Sequence, residues 1–97
     1  MSDWTLLTNH GHVMVFLARN PESRLRDLAA EVGITERAAQ RIVNELVEDG
    51  YLLRERVGRR NRYRLNRRAP MRHPIERDHS VGELLASLGG EPEAPKG

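Results

Sequence analysis

The apolar positions in the central part of the chain repeat at helical spacing. A first stripe, at i, i+3, i+4 and i+7, consists of Leu25, Leu28, Ala29 and Val32. Gly33 follows it, as expected of a glycine that ends a helix. A second stripe, in a helix capped by Thr35 and running to Asp49, consists of Ala39, Ile42, Val43 and Leu46. The pattern therefore predicts two helices joined by a three-residue turn.

After Gly50 the period changes to two. Apolar or aromatic residues alternate with arginine over residues 51–56 and 62–65, which predicts two β-strands. The segment 57–61 between them contains glycine and asparagine, residue types that turns favour. We therefore expect a β-hairpin with a basic tip.

Another helix is predicted before this central part. It begins near Thr8 or Asn9, both good N-caps, and ends at Asn20, because Pro21 disfavours helical geometry in the preceding residue. Apolar residues 13–18 surround this helix, and so small a domain is expected to cover only one side of it. A second copy of the chain is the expected cover for the rest.

A short helix is predicted near the C-terminus. Ser80 and Glu83 form a capping box ahead of it. Its apolar stripe consists of Val81, Leu84, Leu85 and Leu88. The prolines within residues 66–79 are expected to keep that linker extended. Residues 89–97 lack apolar periodicity, which is typical of a disordered tail.

Positive charge is concentrated in the hairpin and the linker. Residues 54–72 contain nine arginines and one acid, Glu55, for a net charge of +8, whereas the rest of the chain has seven bases and thirteen acids, for −6. Such segregation is expected of a protein that presents one face to a polyanion. A solvated basic hairpin is the alternative, and self-repulsion among like charges disfavours it.

Composition excludes several classes of protein. The 97 residues are 38% hydrophobic and 31% charged, which fits one small soluble domain. The longest apolar run, residues 13–18, is too short for a membrane span or a secretion signal, so we expect a cytoplasmic protein with no membrane partner. Without cysteine, a phosphate-binding glycine loop or paired carboxylates beside a base, neither an enzyme nor a cofactor is expected.

The two central helices have the spacing of a helix-turn-helix. A steep crossing over a tight turn requires a small contact residue, here Ala29, and a permissive turn residue, here Gly33. Ala39 and Ile42 then face the first helix. Two helices that merely pack together are the alternative, and the hairpin that follows favours the helix-turn-helix.

The stretch from about His12 to Leu65, which includes LRDLAAEVGITERAAQRIVNELVEDGYLLRERVGRRNRYRL, resembles the winged helix-turn-helix transcriptional regulators of bacteria and archaea, in the broad MarR and ArsR-like group. The C-terminal HPIERDHSVGELLASL is similar to small stand-alone members of that group. The resemblance covers more than half of the chain. It implies a mainly α fold with a small β-hairpin (α+β), a winged helix-turn-helix with an extra C-terminal helix.

This resemblance implies three parts of the chain and one function. Residues 1–66 would form the DNA-binding domain with an N-terminal arm, residues 67–88 an extended linker and a C-terminal dimerisation helix, and residues 89–97 the tail. The function would be sequence-specific binding of double-stranded DNA by a small transcriptional regulator. The motifs leave its operator, its direction of regulation and any small-molecule effector unknown.

In the family, the helix after the turn enters the major groove and the wing contacts the backbone or the minor groove. Arginine suits guanine there, and glutamine or asparagine suits adenine. Helix 35–49 and the basic wing 56–62 occupy these places. The DNA-binding residues so implied are Thr35, Arg37, Gln40, Arg41, Asn44, Arg56, Arg59, Arg60 and Arg62.

Alternatives stay open at several of these positions. Arg37 and Arg41 would, in the simpler interpretation, belong to a solvated helix face on which Glu45 pairs with Arg41. DNA contact and plain solvation are equally consistent with the linker arginines, which are Arg67, Arg68 and Arg72. The whole domain would alternatively be a winged-helix module that binds a protein or RNA through its hairpin.

The outer helices suggest a homodimer that presents two reading helices to half-sites roughly 34 Å apart. The residues expected at its interface are Val13, Met14, Phe16, Leu17, Val81, Leu84, Leu85 and Leu88. A monomer that folds its last helix back on its first is the alternative.

The four histidines suggest a metal site only weakly. They are His10, His12, His73 and His79. The first two lie two residues apart at a helix start, so they point to different sides, and no cysteine completes a soft site. We expect surface or interface histidines and no bound metal.

Overall fold

The computed structural model describes residues 3–89. The elements within that range are, in chain order, α1 (Asn9–Arg19), α2 (Leu25–Val32), α3 (Glu36–Glu48), β1 (Leu52–Val57), β2 (Arg60–Leu65) and α4 (Val81–Ser87). This order confirms the predicted α+β class, a winged helix with an additional C-terminal helix. The predicted tail lies outside the described residues except for Gly89, and no helix among the described residues is long and apolar enough to cross a membrane.

The helix boundaries follow from local chemistry that the sequence displays. The hydroxyl oxygens of Thr8, Thr35 and Ser80 each accept a hydrogen bond from the backbone amide three residues later, at 3.3, 3.0 and 3.3 Å. These bonds satisfy donors that a helix start leaves unpaired. Gly33 ends α2 with a φ of 88°, a left-handed conformation that favours glycine. The predicted caps at Thr8, Thr35 and Ser80 and the turn before α3 are confirmed. The Glu83 side chain, which the predicted capping box would place on the Ser80 amide, lies 2.6 Å from His79 Nδ1 instead.

Helix α1 lies at the centre of the core. Val13 and Leu17 are fully buried, and the helix packs against α2, α3, β2 and α4. The other core residues include Leu28, Ala29, Ala39, Ile42, Val43, Leu46, Leu52, Tyr63 and Leu85. The stripes predicted for α2 and α3 therefore face inward, which fixes the opposite face of α3 toward solvent.

Helix α4 folds back on α1 within one chain. The Arg19 guanidinium at the end of α1 donates to the carbonyl of Leu88, which follows α4. Of the residues predicted for a dimer interface, five are already buried here: Val13, Met14, Leu17, Val81 and Leu85. The chain itself therefore buries part of the surface that was assigned to a second copy, and the predicted alternative, α4 folded back on α1, is present. On the other side of α1, Val15 and Ala18 are half-buried. Phe16, Leu84 and Leu88 remain half-buried.

The hairpin is tighter than the sequence pattern suggested. Leu52 pairs with Leu65 and Val57 with Arg60, which leaves a loop of Gly58 and Arg59 alone. Gly58 has a φ of 63°, and glycine with positive φ at the first loop position is typical of a type II′ turn. The second strand therefore begins at Arg60, two residues before the predicted start.

The linker before α4 is folded and not extended as predicted. Pro70 and Ser80 form an isolated antiparallel bridge, and the Tyr51 hydroxyl donates to the Pro70 carbonyl at 2.6 Å. The Gly82 amide donates to the Arg67 carbonyl at 2.9 Å. A Cβ at Gly82 would lie 2.8 Å from that carbonyl oxygen, so this close approach requires glycine. Backbone hydrogen bonds, rather than proline stiffness, set the linker's path.

Candidate nucleic-acid interface

The solvent face of α3 carries the side chains that the sequence singled out for reading bases. Burial of the apolar stripe leaves four of them exposed on the helix: Arg37, Gln40, Arg41 and Asn44. Thr35 is exposed at the helix start, and its oxygen accepts the capping bond from Ala38. Its hydroxyl proton is still able to donate. Within residues 3–89, this polar face is therefore available to a large partner.

Gln40 and Asn44 are linked to each other and to the hairpin. Gln40 Nε2 donates to Asn44 Oδ1 at 3.0 Å, and Arg54 Nη1 donates to the same oxygen at 2.9 Å. Arg54 lies on β1, on the hairpin face that also carries the buried Leu52 and Tyr63. Arg54 is not among the residues predicted from the sequence to contact DNA. The period-two spacing from Leu52 places Arg54 on the inner face of the strand, and this spacing was the one sequence feature that pointed to a contact with the helix.

A second cluster occupies the α1 side of the same helix. Glu45 Oε1 lies 2.7 Å from His10 Nε2, and Glu45 Oε2 lies 3.4 Å from Arg41 Nη1. The hydrogen bond from His10 is the main reason that the pKa of Glu45 is lowered. Desolvation opposes it, and the positive charge of Arg41 adds to the lowering. The alternative pairing of Arg41 with Glu45 is therefore present, and it uses one guanidinium nitrogen.

The wing arginines do not share one face of the hairpin. By register, Arg56 lies on the inner face with Arg54, whereas Arg60 and Arg62 lie on the outer face. Arg56 Nε donates to the Gly58 carbonyl at 3.1 Å, and Arg62 Nε lies 3.8 Å from Glu22 Oε2.

Arg59 and Arg60 at the tip are exposed. Among the described residues, 3–89, neither of them makes an ion pair or a side-chain hydrogen bond. The tip therefore presents two unengaged positive charges.

Arg72 in the linker and the histidines make contacts within the fold. Arg72 Nη1 lies 3.0 Å from Asp49 Oδ2, an ion pair that holds the linker to the end of α3. The histidine contacts are those of His10 with Glu45, His12 with Asn9, His73 with Ile75 and His79 with Glu83. In the described part of the chain no group of three metal-ligating side chains comes together.

Comparison with known proteins agrees with this geometry. A family model described as MarR family matches residues 4–62. Among solved structures, the fold is similar to one titled "Crystal structure of RV1404 from Mycobacterium tuberculosis", with a TM-score of 0.56 and 23% identity, covering 96% of this chain and 80% of that one. At 23% identity, this similarity shows a shared fold. A search of curated proteins gives no match.

Proposed function

Because the family model matches well over half of its length, this chain belongs to the MarR family of DNA-binding transcriptional regulators, and we propose that it recognises a specific sequence in double-stranded DNA. Helix α3 enters the major groove in this proposal, and the hairpin tip lies on the backbone or in the minor groove. The protein acts in the cytoplasm, where its DNA lies. Members of this family are regulators rather than enzymes.

One observation carries the proposal. The polar face of α3 is exposed beside an arginine-rich hairpin, and the contact between Arg54 and Asn44 joins the two surfaces. A duplex that places its major groove on α3 therefore brings its backbone toward the hairpin. Nine of the chain's basic residues fall in the segment 54–72, which suits an anionic backbone.

In this proposal, α3 reads bases and the hairpin contacts the DNA backbone or minor groove. Gln40 and Asn44 have amide groups that match adenine, and Arg37 and Arg41 match guanine. Thr35, whose hydroxyl proton is not used by the cap, donates to a phosphate near the helix start. The arginines proposed to contact the backbone or minor groove are Arg56, Arg59, Arg60 and Arg62.

We further propose that the protein binds as a homodimer, as is usual in this family, with a palindromic site as the consequence. Five of the eight residues predicted for the interface are buried in the chain's own core, which favours an interface that uses other side chains as well. The exposed apolar side chains are better candidates for the dimer interface, among them Trp4 at 72%, Leu6 at 90% and Ile75 at 85% exposure. Light scattering of the chain in solution is expected to give twice the mass of one copy.

The test of the function is a binding titration of the whole chain against duplex DNA over a salt series. We expect binding to random duplexes at low salt, tighter binding to selected duplexes, and log K falling against log salt by about 0.9 for each neutralised phosphate. Absence of duplex binding even at low salt would refute the proposal. Binding to single-stranded RNA in place of DNA would support the alternative interaction module.

A further inference from the structure

Three side chains from two elements form a hydrogen-bonded row across the exposed face of α3. Asn44 Oδ1 accepts from Gln40 Nε2 at 3.0 Å and from Arg54 Nη1 at 2.9 Å. Arg54 is exposed, but its strand is fixed, because Leu52 on the same strand and Tyr63, the cross-strand partner of Arg54, are only 3% and 7% exposed. The hairpin therefore holds the backbone of Arg54 beside the helix, with its guanidinium in hydrogen-bond contact with Asn44.

The chemistry of this row fixes both amides. A guanidinium donates and never accepts, so the Asn44 atom that faces Arg54 must be the oxygen. That oxygen accepts, so the Gln40 atom facing it must be the nitrogen. Without Arg54, the pair of amides has two equivalent arrangements, because Asn44 can then donate to Gln40 as readily as accept from it.

The atoms left to a partner follow from this orientation. Asn44 presents Nδ2 with both its protons, and Gln40 presents Oε1 as an acceptor. A donor and an acceptor on consecutive turns of one helix complement the adenine edge in the major groove, which offers N7 as an acceptor and N6 as a donor. In the opposite arrangement, Gln40 would present the donor and Asn44 the acceptor.

We propose that Arg54 is a positioning residue that fixes the amides of Asn44 and Gln40, so that α3 presents them as a donor and an acceptor for one adenine. This inference rests on the proposed function, since it names what the DNA-reading face recognises. Arg54 acts through Asn44, and its effect is therefore on which base is preferred rather than on charge alone.

The experiment is selection of bound duplexes from a random pool by the full chain and three variants. Arg54→Ala removes the guanidinium, and Arg54→Lys keeps a group that can only donate. Arg64→Ala is the matched control. Arg64 is exposed, and its substitution removes the same charge from the outer face of the same hairpin.

The wild-type chain is expected to enrich a site in which one adenine is preferred by about five-fold or more, the size of a single base-pair discrimination. In Arg54→Ala we expect the preference at that position to fall to within about two-fold. Arg54→Lys restores it, and Arg64→Ala retains it despite weaker overall binding. An unchanged preference in Arg54→Ala, or a wild-type site without a preferred adenine, overturns the inference alone. A wild-type selection that enriches no sequence overturns the proposed function as well.

A measurement without DNA tests the orientation itself. The side-chain amide NMR signals of Gln40 and Asn44 are expected to shift in Arg54→Ala and to stay in place in Arg64→Ala. Signals that do not respond to loss of Arg54 overturn the positioning role, whatever the outcome of the selection.

Discussion

The exposed face of α3 and the hairpin tip are both polar surfaces, but they differ in how their side chains are held. On α3, Gln40 and Asn44 are tied to Arg54, and Arg41 is tied to Glu45. At the tip, Arg59 makes no such bond within residues 3–89. One surface presents oriented donors and acceptors, and the other presents positive charge on a short loop without side-chain partners among residues 3–89.

With two such surfaces, a small domain can combine selectivity between sequences with affinity for all of them. Oriented hydrogen-bonding groups discriminate between bases, because a wrong base leaves a donor or acceptor unpaired. Free guanidinium groups need no orientation to neutralise phosphates, so they strengthen binding to every sequence. Substitutions on each surface test this division of roles.

The largest effect is expected from Ile42→Ala, because both surfaces depend on one core. Ile42 is 2% exposed on the inner face of α3, and truncating such a residue costs about 2–5 kcal/mol of unfolding free energy. Thermal unfolding followed by circular dichroism measures the loss. The exposed Gln40→Ala on the same helix is the control and should change stability by less than about 0.5 kcal/mol. Equal midpoints for the two variants would contradict the burial of this face.

The core beneath α3 was predictable from sequence because its helix is apolar on one side only. A stripe such as Ala39, Ile42, Val43 and Leu46 allows a single packing direction. The stripe of α4 was ambiguous, because the same apolar face fits its own chain or a second copy equally well. The choice depended on the path of the linker, which backbone bonds such as that between Gly82 and Arg67 determine. Side-chain patterns do not display such bonds.

The candidate site shows the same limit. The exposed residues of α3 followed from the buried stripe, and the arginine-rich tip followed from composition. Arg54 was missed as a partner of Asn44, since period-two alternation gives the face of a strand but not the helix residue opposite it. The pairing of Arg41 with Glu45 was visible as an i, i+4 spacing, whereas its extension to His10 joins residues 35 apart in the chain. Long-range contacts of this kind require the fold.

The next largest effect is expected at the tip, from the double variant Arg59→Ala with Arg60→Ala. Each lost phosphate contact lowers affinity about ten-fold near 50 mM salt, so the pair should weaken binding roughly 100-fold for every duplex. The salt slope should fall by up to about 1.8. Fluorescence anisotropy of labelled duplexes over a salt series measures both quantities. Arg77→Ala, an exposed arginine outside the hairpin, should leave the slope nearly unchanged. A changed base preference in the double variant would reverse the roles assigned to the two surfaces.

A smaller and more selective effect is expected from Gln40→Ala on the helix. Loss of the Oε1 acceptor should reduce discrimination at one base pair by about five-fold, at the lower end of the range of a good base contact. Binding to random duplexes at low salt should change little, because no charge is removed. Competition titrations with single-base variants of the selected site measure the discrimination. Uniform weakening across all duplexes would show that Gln40 contributes to affinity in the way the tip does.

The smallest effect is expected from Glu45→Gln, which tests the cluster on the α1 side of α3. His10 and Arg41 lower the pKa of Glu45 below its ordinary value of 4.5, so the folded chain holds the ionised carboxylate more strongly than the unfolded chain does. Its contribution to stability is therefore present above pH 4.5 and is lost as the pH falls through the lower folded value. Glu45→Gln should be slightly less stable than the wild type near neutral pH, and the gap should close on acidification. Unfolding midpoints measured between about pH 3 and pH 6 give this gap, with Glu48→Gln, an exposed acid on the same helix, as the control. A stability gap that stays constant with pH, or that Glu48→Gln reproduces, would contradict this role of the bond between His10 and Glu45. The contrast between the exposed face of α3 and the hairpin tip would then depend on Gln40, Asn44 and Arg54 alone.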